Sequence, residues 1–232
     1  MTSHCAPLRR RCCLLVLALA VGGSAVARSE VEIGGSAAPP VPAHDRDVPP
    51  LDVRLGPVFG WLFLNEQVMS ETYGSVATPG LMIVTDVSDD TRFVLGAGRG
   101  TSRGNPFHDV TGYEGSDEVE LTTIPLRIGL QTDLSPHPRL HLLCGLSAEM
   151  VWMRERLPAA AVAGSRDHVD FDGWGEGLRF GFGPEWRSAD ARRVIGFTME
   201  WGASGGEVFG DGRRHEVNLT GTGLQFHMLW RL

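Results

Sequence analysis

Along much of the chain, bulky apolar side chains alternate with small or charged ones, and the charged ones could take part in chemistry. Nine charged residues occupy positions that alternate with the bulky apolar ones: Asp52, Arg54, Glu120, Arg127, Glu149, Arg179, Glu185, Glu200 and Arg231. Charges withdrawn from water must pair, because an unpaired buried charge carries a large desolvation penalty. The pattern therefore predicts a network of ion pairs, and it leaves open a polar path for small solutes.

The alternation itself has a period of two residues, which is the period of a β-strand. In 173–187 the even positions carry large side chains such as Trp174 and Phe180, whereas the odd positions carry mostly Gly, with Arg179 and Glu185. Segment 73–87 is less regular, because Val76, Met82 and Val84 share its polar side. Eight segments follow this period: 51–64, 73–87, 92–100, 119–132, 140–152, 173–187, 193–203 and 216–232.

The connections between these segments alternate in length. Short turns follow the second, fourth and sixth segments (88–91, 133–139 and 188–192), and mostly longer polar connections follow the others, the longest being 101–118 and 153–172. Short turns inside and long loops outside are typical of barrels in outer membranes. The sequence thus predicts an all-β, eight-stranded antiparallel up-and-down transmembrane β-barrel with both termini in the periplasm.

The six tryptophans share the apolar side, near the ends of the predicted strands: Trp61, Trp152, Trp174, Trp186, Trp201 and Trp230. This placement is typical of an aromatic girdle at the two membrane interfaces. A soluble lipocalin-like binding barrel also alternates, but its apolar face points inward. An interior of eight strands has little room for six tryptophans, so an outward apolar face is favoured.

The N-terminus has the features of a secretory signal peptide. Arg9, Arg10 and Arg11 precede the apolar run 12–21, and Ser24-Ala25-Val26-Ala27 fits a cleavage site. We expect 1–27 to be the signal peptide, 28–50 a Pro-rich disordered periplasmic leader, and 51–232 the barrel domain. The signal places the protein in a Gram-negative type of envelope.

Removing the three signal arginines from the 21 basic residues leaves 18 against 28 acidic residues, a net charge of −10. A chain this acidic repels nucleic acid, so we expect no nucleic-acid partner. Cys5, Cys12 and Cys13 leave with the signal, and Cys144 then has no partner for an internal disulfide. Its position on the apolar side is that of a small hydrophobic residue.

With its strand pattern, signal peptide and apolar last strand Leu224-Gln225-Phe226-His227-Met228-Leu229-Trp230-Arg231-Leu232, the chain resembles the family of small eight-stranded outer membrane β-barrel domains. The resemblance covers about 51–232. It implies recognition of the last strand by the barrel assembly machinery during biogenesis. Family members typically end on an aromatic residue, whereas this chain ends on Leu232, two residues after Trp230.

Barrels of this family that deacylate lipid A carry a His-x-Ser pattern with a nearby acid, and no His-x-Ser occurs in this sequence. The pair Ser135 and His137 falls in a predicted periplasmic turn, away from outer-leaflet lipid. His141 and His227 are expected to point inward as hydrogen-bonded core residues. We expect no enzyme activity, no cofactor and no metal site.

The sequence favours an integral outer membrane protein, monomeric, with a structural or loop-mediated interaction role. Outer membrane lipid and lipopolysaccharide are its expected partners, met by the loops 101–118 and 153–172, and the loop partner outside the cell is not specified by the residues. The alternative is a narrow channel or transporter for small or hydrophobic solutes, and the third candidate is the soluble lipocalin-like barrel.

Overall fold

The computed structural model describes residues 52–104, 119–135, 137–157 and 168–232. The predicted signal peptide and leader lie outside the described residues. Within them the chain forms one helix, α1 (Gln67–Tyr73), and ten strands. The strands are β1 (Val53–Leu64), β2 (Ser75–Asp86), β3 (Thr91–Gly98), β4 (Gly100–Gly104), β5 (Val119–Asp133), β6 (Leu140–Leu157), β7 (Val169–Arg187), β8 (Arg193–Gly210), β9 (Arg213–Asn218) and β10 (Gly221–Arg231).

The described strands close into an antiparallel barrel. β1 pairs with β2 on one side and with β10 on the other, so the first and last strands complete the circle. β3 and β4 together occupy one position beside β5, and β9 and β10 together occupy one position beside β8. The barrel therefore has eight strand positions, which confirms the predicted fold class.

The outer face of the barrel is apolar. Phe180 is 44% exposed although it lies in the middle of β7, and large apolar side chains on the neighbouring strands are exposed to a similar degree. A lipocalin-like barrel carries its apolar face inward, and this barrel carries it outward. Exposed members of this face include Phe59, Leu81, Ile83, Leu95, Leu126, Ile128, Leu130, Leu146, Leu178, Phe182, Phe197, Met199 and Phe226.

The described residues contain no helix that is long and apolar enough to cross a membrane.

The barrel has two different ends. The short-turn end holds the three predicted turns, and Val53 and Leu232 meet there through a backbone hydrogen bond of 3.0 Å. The long-loop end holds α1, the last residues of β4 and β6, the first residues of β5 and β7, and a tight turn at Asp211 and Gly212.

The lumen is not uniformly polar, because an apolar cluster fills it near each end. Val76 joins the cluster at the long-loop end, and Met82 and Val84 join the one at the short-turn end. These are the three residues that blur the alternation of β2. Their position on the polar side of the pattern is explained by burial inside the barrel.

Several predicted strand ends are wrong. Tyr73 was expected on the outer face of the second strand, but it is the last residue of α1 and lies buried in the barrel mouth. Strands β4, β6 and β7 extend into the predicted loops 101–118 and 153–172. The connection after the seventh strand is a tight hairpin and not a long loop, since β8 and β9 pair as far as Gly210 and Arg213.

Helix α1 begins and ends for local reasons. The Glu66 carboxylate accepts hydrogen bonds from the backbone N–H groups of Val68 and Met69, which caps the first turn. At the other end Gly74 has a backbone φ of 65°, and residues other than glycine adopt this value only at a cost in free energy. Met69 and Tyr73 are buried, so one side of the helix packs on the barrel mouth.

Candidate functional site

The centre of the lumen holds four charged side chains that we call the mid-lumen network: Arg127, Glu149, Arg179 and Glu200. Glu149 accepts from the Nε of Arg127 at 2.6 Å and from the Nε and Nη2 of Arg179 at 2.8 and 3.0 Å. Arg127 also reaches Glu200 with its Nη1 at 3.0 Å. Each carboxylate therefore has at least one guanidinium partner, as buried charges require.

The register of four strands brings these side chains together. Arg127 on β5 lies directly opposite Glu149 on β6. Arg179 on β7 is opposite Gly202 on β8, where a β-carbon would lie 2.6 Å from the Cγ of Arg179. The glycine leaves the space into which the long arginine side chain folds toward Glu149.

A second group of charges surrounds Glu185 at the short-turn end. The Nη1 of Arg92 donates to Glu185 at 2.7 Å, and the imidazole of His227 lies 3.1 Å from its other oxygen. Arg92 also donates to the Oε1 of Gln131 at 2.8 Å. Glu185 is fully buried, so these contacts compensate the loss of its hydration.

The rim of the short-turn end carries a third, more exposed group. Arg54 donates to Asp52 and Asp86, each at 2.8 Å. Arg231, which the sequence places inside the lumen, is largely exposed at this rim and lies 3.4 Å from Asp52. His141 contacts Asp133 nearby. Eight of the nine predicted charges are thus divided between three groups rather than joined in one.

The long-loop end is closed by an apolar plug beneath α1. We call it the outer plug, and its buried residues are Leu64, Met69, Tyr73, Val76, Val119, Leu121, Val151, Met153, Val169, Phe171, Val208, Val217 and Leu219. Polar contacts also lie within it: Tyr73 donates its hydroxyl to Glu155, which also contacts His215. Burial and the nearby Glu155 raise the pKa of Tyr73 well above its usual value, so the hydroxyl stays protonated and donates.

The remaining space in the middle of the lumen is small. A cavity of about 60 Å³ lies between the two ends, lined in part by Arg127, Gln131, Glu200 and Gln225. This volume and the polar side chains in its lining suit a few water molecules. At the short-turn end, Val84, Val194 and Leu229 are completely buried and close the described lumen below it.

The six tryptophans lie on the outer face, as their side of the alternation requires. Trp186 and Trp230 lie near the short-turn end, and Trp152 and Trp174 are opposite each other toward the long-loop end. Trp61 donates its indole N–H to Ser75 at 2.9 Å, and Trp201 packs on Phe180 with ring centroids 6.0 Å apart. All are exposed except Trp152, which is half-buried. Their role as a membrane girdle stays a prediction.

Sequence reasoning misplaced one charge and missed others. Glu120, expected inside, lies on the outer face and pairs with Arg103 at 3.2 Å. Arg92 was missed although it stands at an inward position two residues before Val94 on β3. Glu155 was missed because it fell in a predicted loop, and continuing the two-residue alternation of β6 beyond Trp152 would have placed it inward.

No arrangement in the described part of the chain has the composition of a metal site or an activated nucleophile. No group of three or more His, Cys, Asp and Glu side chains among these residues could hold a metal ion. Ser135 and His137 lie in the turn between β5 and β6, where the Oγ of Ser135 accepts from the backbone N–H of His137 at 3.3 Å. That contact shapes the turn and does not pair the two side chains.

Neither a protein-family model nor a curated protein matches this sequence. Among solved structures the chain is similar to Neisserial surface protein A, with 13% identity, a TM-score of 0.45, and coverage of 78% of this chain and 97% of that one. It is also similar to the attachment invasion locus protein of Yersinia pestis (11% identity, TM-score 0.41, coverage 78% and 97%) and to a major outer membrane protein of Thermus thermophilus (9%, 0.45, 78% and 99%). By its own closed barrel and outward apolar face, the chain has the architecture of a small eight-stranded outer membrane β-barrel.

Proposed function

We propose that the protein is an integral outer membrane barrel whose lumen is permanently filled and whose role is structural or interactional. The observation that carries this proposal is the pairing of an apolar outer face with a packed interior. An apolar belt of this extent has no partner within the described chain, and lipid tails are the environment that would cover it. Long loops outside and short turns inside would place Val53 and Leu232 on the periplasmic side.

The filled lumen favours this role over transport. Water would have to pass the outer plug, the mid-lumen network and the buried group at the short-turn end. Removing Glu149 from its two arginines would leave buried charges unpaired, at a cost of about 3 to 5 kcal/mol. Partners would therefore meet the long-loop end and the outer wall, with lipopolysaccharide as the expected lipid and the assembly machinery as a transient partner.

A narrow channel is the second candidate, because charged side chains are part of the lining of the cavity of about 60 Å³. It would conduct only if Arg127 exchanged partners and the apolar clusters at the two ends opened. Catalysis has no support from the described side chains.

Planar-bilayer recording separates the two candidates. The wild-type barrel and the variants Arg127→Gln and Glu149→Gln are each reconstituted, with co-flotation on lipid vesicles as the control for insertion. We expect inserted protein and no single-channel steps for the wild type or for either variant. Reproducible steps in the wild type would overturn the filled-lumen role in favour of the channel, and failure to float with vesicles would overturn the membrane location.

A further inference from the structure

Four arginines cluster on the outer wall where the apolar belt ends at the long-loop end. The strand register places Arg99 in a row with Ile124 and Trp152, because Ala97 pairs with Leu126 and Gly100 with Thr123. One row further out, Arg154 lies opposite Thr122, and in the next row Arg156 lies opposite Glu120, beside Arg103. Below these rows the outward residues are Ala97, Leu126 and Met150, all apolar and exposed.

Three of these arginines, Arg99, Arg154 and Arg156, border a cleft of about 390 Å³, which we call the arginine cleft. It is lined by Arg99, Glu120, Trp152, Arg154, Arg156 and Asp170, together with Thr122 and Ile124. The volume falls within the range of about 300 to 1,000 Å³ that small-molecule sites have. Its floor is the last apolar row of the belt, and its walls are guanidinium groups.

The carboxylates nearby do not saturate the arginines. Arg154 and Arg156 both contact the single carboxylate of Asp170, the latter at 3.5 Å. Within the described part of the chain, Arg99 makes no ion pair at all. Asp172 lies opposite Arg154 but does not line the cleft, and Glu120, which does, pairs with Arg103. Several N–H donors therefore remain free to bind an anion.

The position and chemistry of the cleft select its ligand. If the belt lies in the membrane, as proposed above, the cleft lies at the height of the outer-leaflet headgroups. Guanidinium groups bind phosphate with paired hydrogen bonds, more specifically than a point charge does. Trp152 on the floor offers a ring for the sugar or the first methylenes of a lipid. Without the predicted signal peptide the chain has a net charge of −10, so as a whole it repels anions. Binding of an anion must therefore come from the local cluster of arginines.

We propose that the arginine cleft binds the phosphate-bearing saccharide headgroup of an outer-leaflet glycolipid. This inference rests on the proposed outer membrane location. It assigns lipid contact to the outer wall of β4–β7. Arg154, Arg156 and Asp170 belong to the segment 153–172, which the sequence predicts to be a loop that meets lipopolysaccharide, but they lie in strands β6 and β7. Arg99 holds the phosphate together with the N–H groups of Arg154 that its Nη2 contact with Asp170 leaves free.

Native mass spectrometry of the full mature barrel, released from detergent, tests the site. The probes are bis-phosphorylated lipid A, its monophosphorylated form and phosphatidylethanolamine. The test variant is the double substitution Arg99→Gln with Arg154→Gln, and the control is Arg139→Gln with Arg193→Gln, two exposed arginines at the short-turn end. We expect the test variant to lose at least about tenfold in apparent affinity for bis-phosphorylated lipid A, the loss of two charge-assisted contacts.

The control variant is expected to bind like the wild type, and the wild type is expected to prefer bis-phosphorylated lipid A to both other lipids. Equal binding by the two variants would overturn the proposal, as would equal binding of phosphatidylethanolamine. Complete displacement of lipid A by millimolar inorganic phosphate would assign the cleft to free phosphate and also overturn it. Heat-modifiable gel migration and vesicle co-flotation are measured for every variant, so that a barrel that fails to insert is recognised as a failure of the membrane location.

Discussion

Glu149 is the residue on which the mid-lumen network depends. Its side chain is 1% exposed and accepts hydrogen bonds from two arginines, whereas the Glu200 side chain is 13% exposed and pairs with Arg127 alone. Losing Glu149 would leave Arg179 with only a 3.4 Å contact to Ser204. Losing Glu200 would leave Arg127 still paired with Glu149. The two carboxylates therefore differ in structural importance although both face the lumen.

Neutralising these two carboxylates tests that difference. We expect Glu149→Gln to lower the free energy of unfolding by about 3 kcal/mol or more, because it breaks a buried pair. Glu200→Gln is expected to cost about 1 kcal/mol, the value of a partly exposed pair. Urea titration of the refolded barrel, followed by tryptophan fluorescence, measures both. Equal costs would show that the network is not organised around Glu149.

The sequence predicts which residues enter the lumen better than it predicts their partners. Alternation alone places Arg127, Glu149 and Arg179 inside, because it requires only the two-residue period. Pairing depends on the offset between strands, which no local pattern encodes. The separation of Arg54 from the mid-lumen network therefore could not be read from the chain, and Arg92 was missed because its strand carries few other polar residues.

At the scale of elements, helix α1 and the strands beneath it form a cap on the barrel. The helix has seven residues and packs on the outer plug through Met69 and Tyr73. Such a short helix is not stable alone, so its packing must hold it. The hydroxyl of Tyr73 bonded to Glu155 links the end of the helix to β6.

Removing that hydroxyl is expected to loosen the cap without unfolding the barrel. In Tyr73→Phe we expect faster amide hydrogen exchange in residues 67–73 and unchanged exchange in β5–β8, because local opening needs less energy than global unfolding. Gln67→Ala, on the exposed side of the same helix, serves as the control and should leave the exchange of Met69 and Tyr73 unchanged. Unaltered exchange in Tyr73→Phe would mean that apolar packing alone holds α1.

The ends of elements were the least predictable part of the fold. The inward residues of β6 and β7 change along each strand. Glu149 and Gly177 lie toward the middle of the barrel, and the apolar Met153 and Phe171 lie nearer the long-loop end. Charged outward residues such as Arg154 and Asp170 appear at the same level. In the sequence such polar outward residues predict a loop, whereas in the structure they belong to strands that continue beyond the apolar belt.

At the scale of the whole molecule, the proposed membrane location depends on the belt of outward apolar side chains. On β7 the belt that would be covered by lipid is bordered by a tryptophan on each side, Trp174 and Trp186. Phe180 lies midway along β7 between Trp174 and Trp186, at the centre of the belt. Phe209 is also exposed, at 54%, but it lies at the far end of β8 opposite Asp172 and beside the hairpin turn.

These two phenylalanines provide the most direct test of the central claim that the belt crosses a membrane. The variants Phe180→Arg and Phe209→Arg are refolded into lipid vesicles, and their free energies of unfolding are measured by guanidinium titration. We expect Phe180→Arg to cost about 2 to 4 kcal/mol and Phe209→Arg about 0 to 1 kcal/mol, the values for an arginine at the bilayer midplane and near its interface. Equal and small costs for the two variants would contradict the account, since both phenylalanines would then face water.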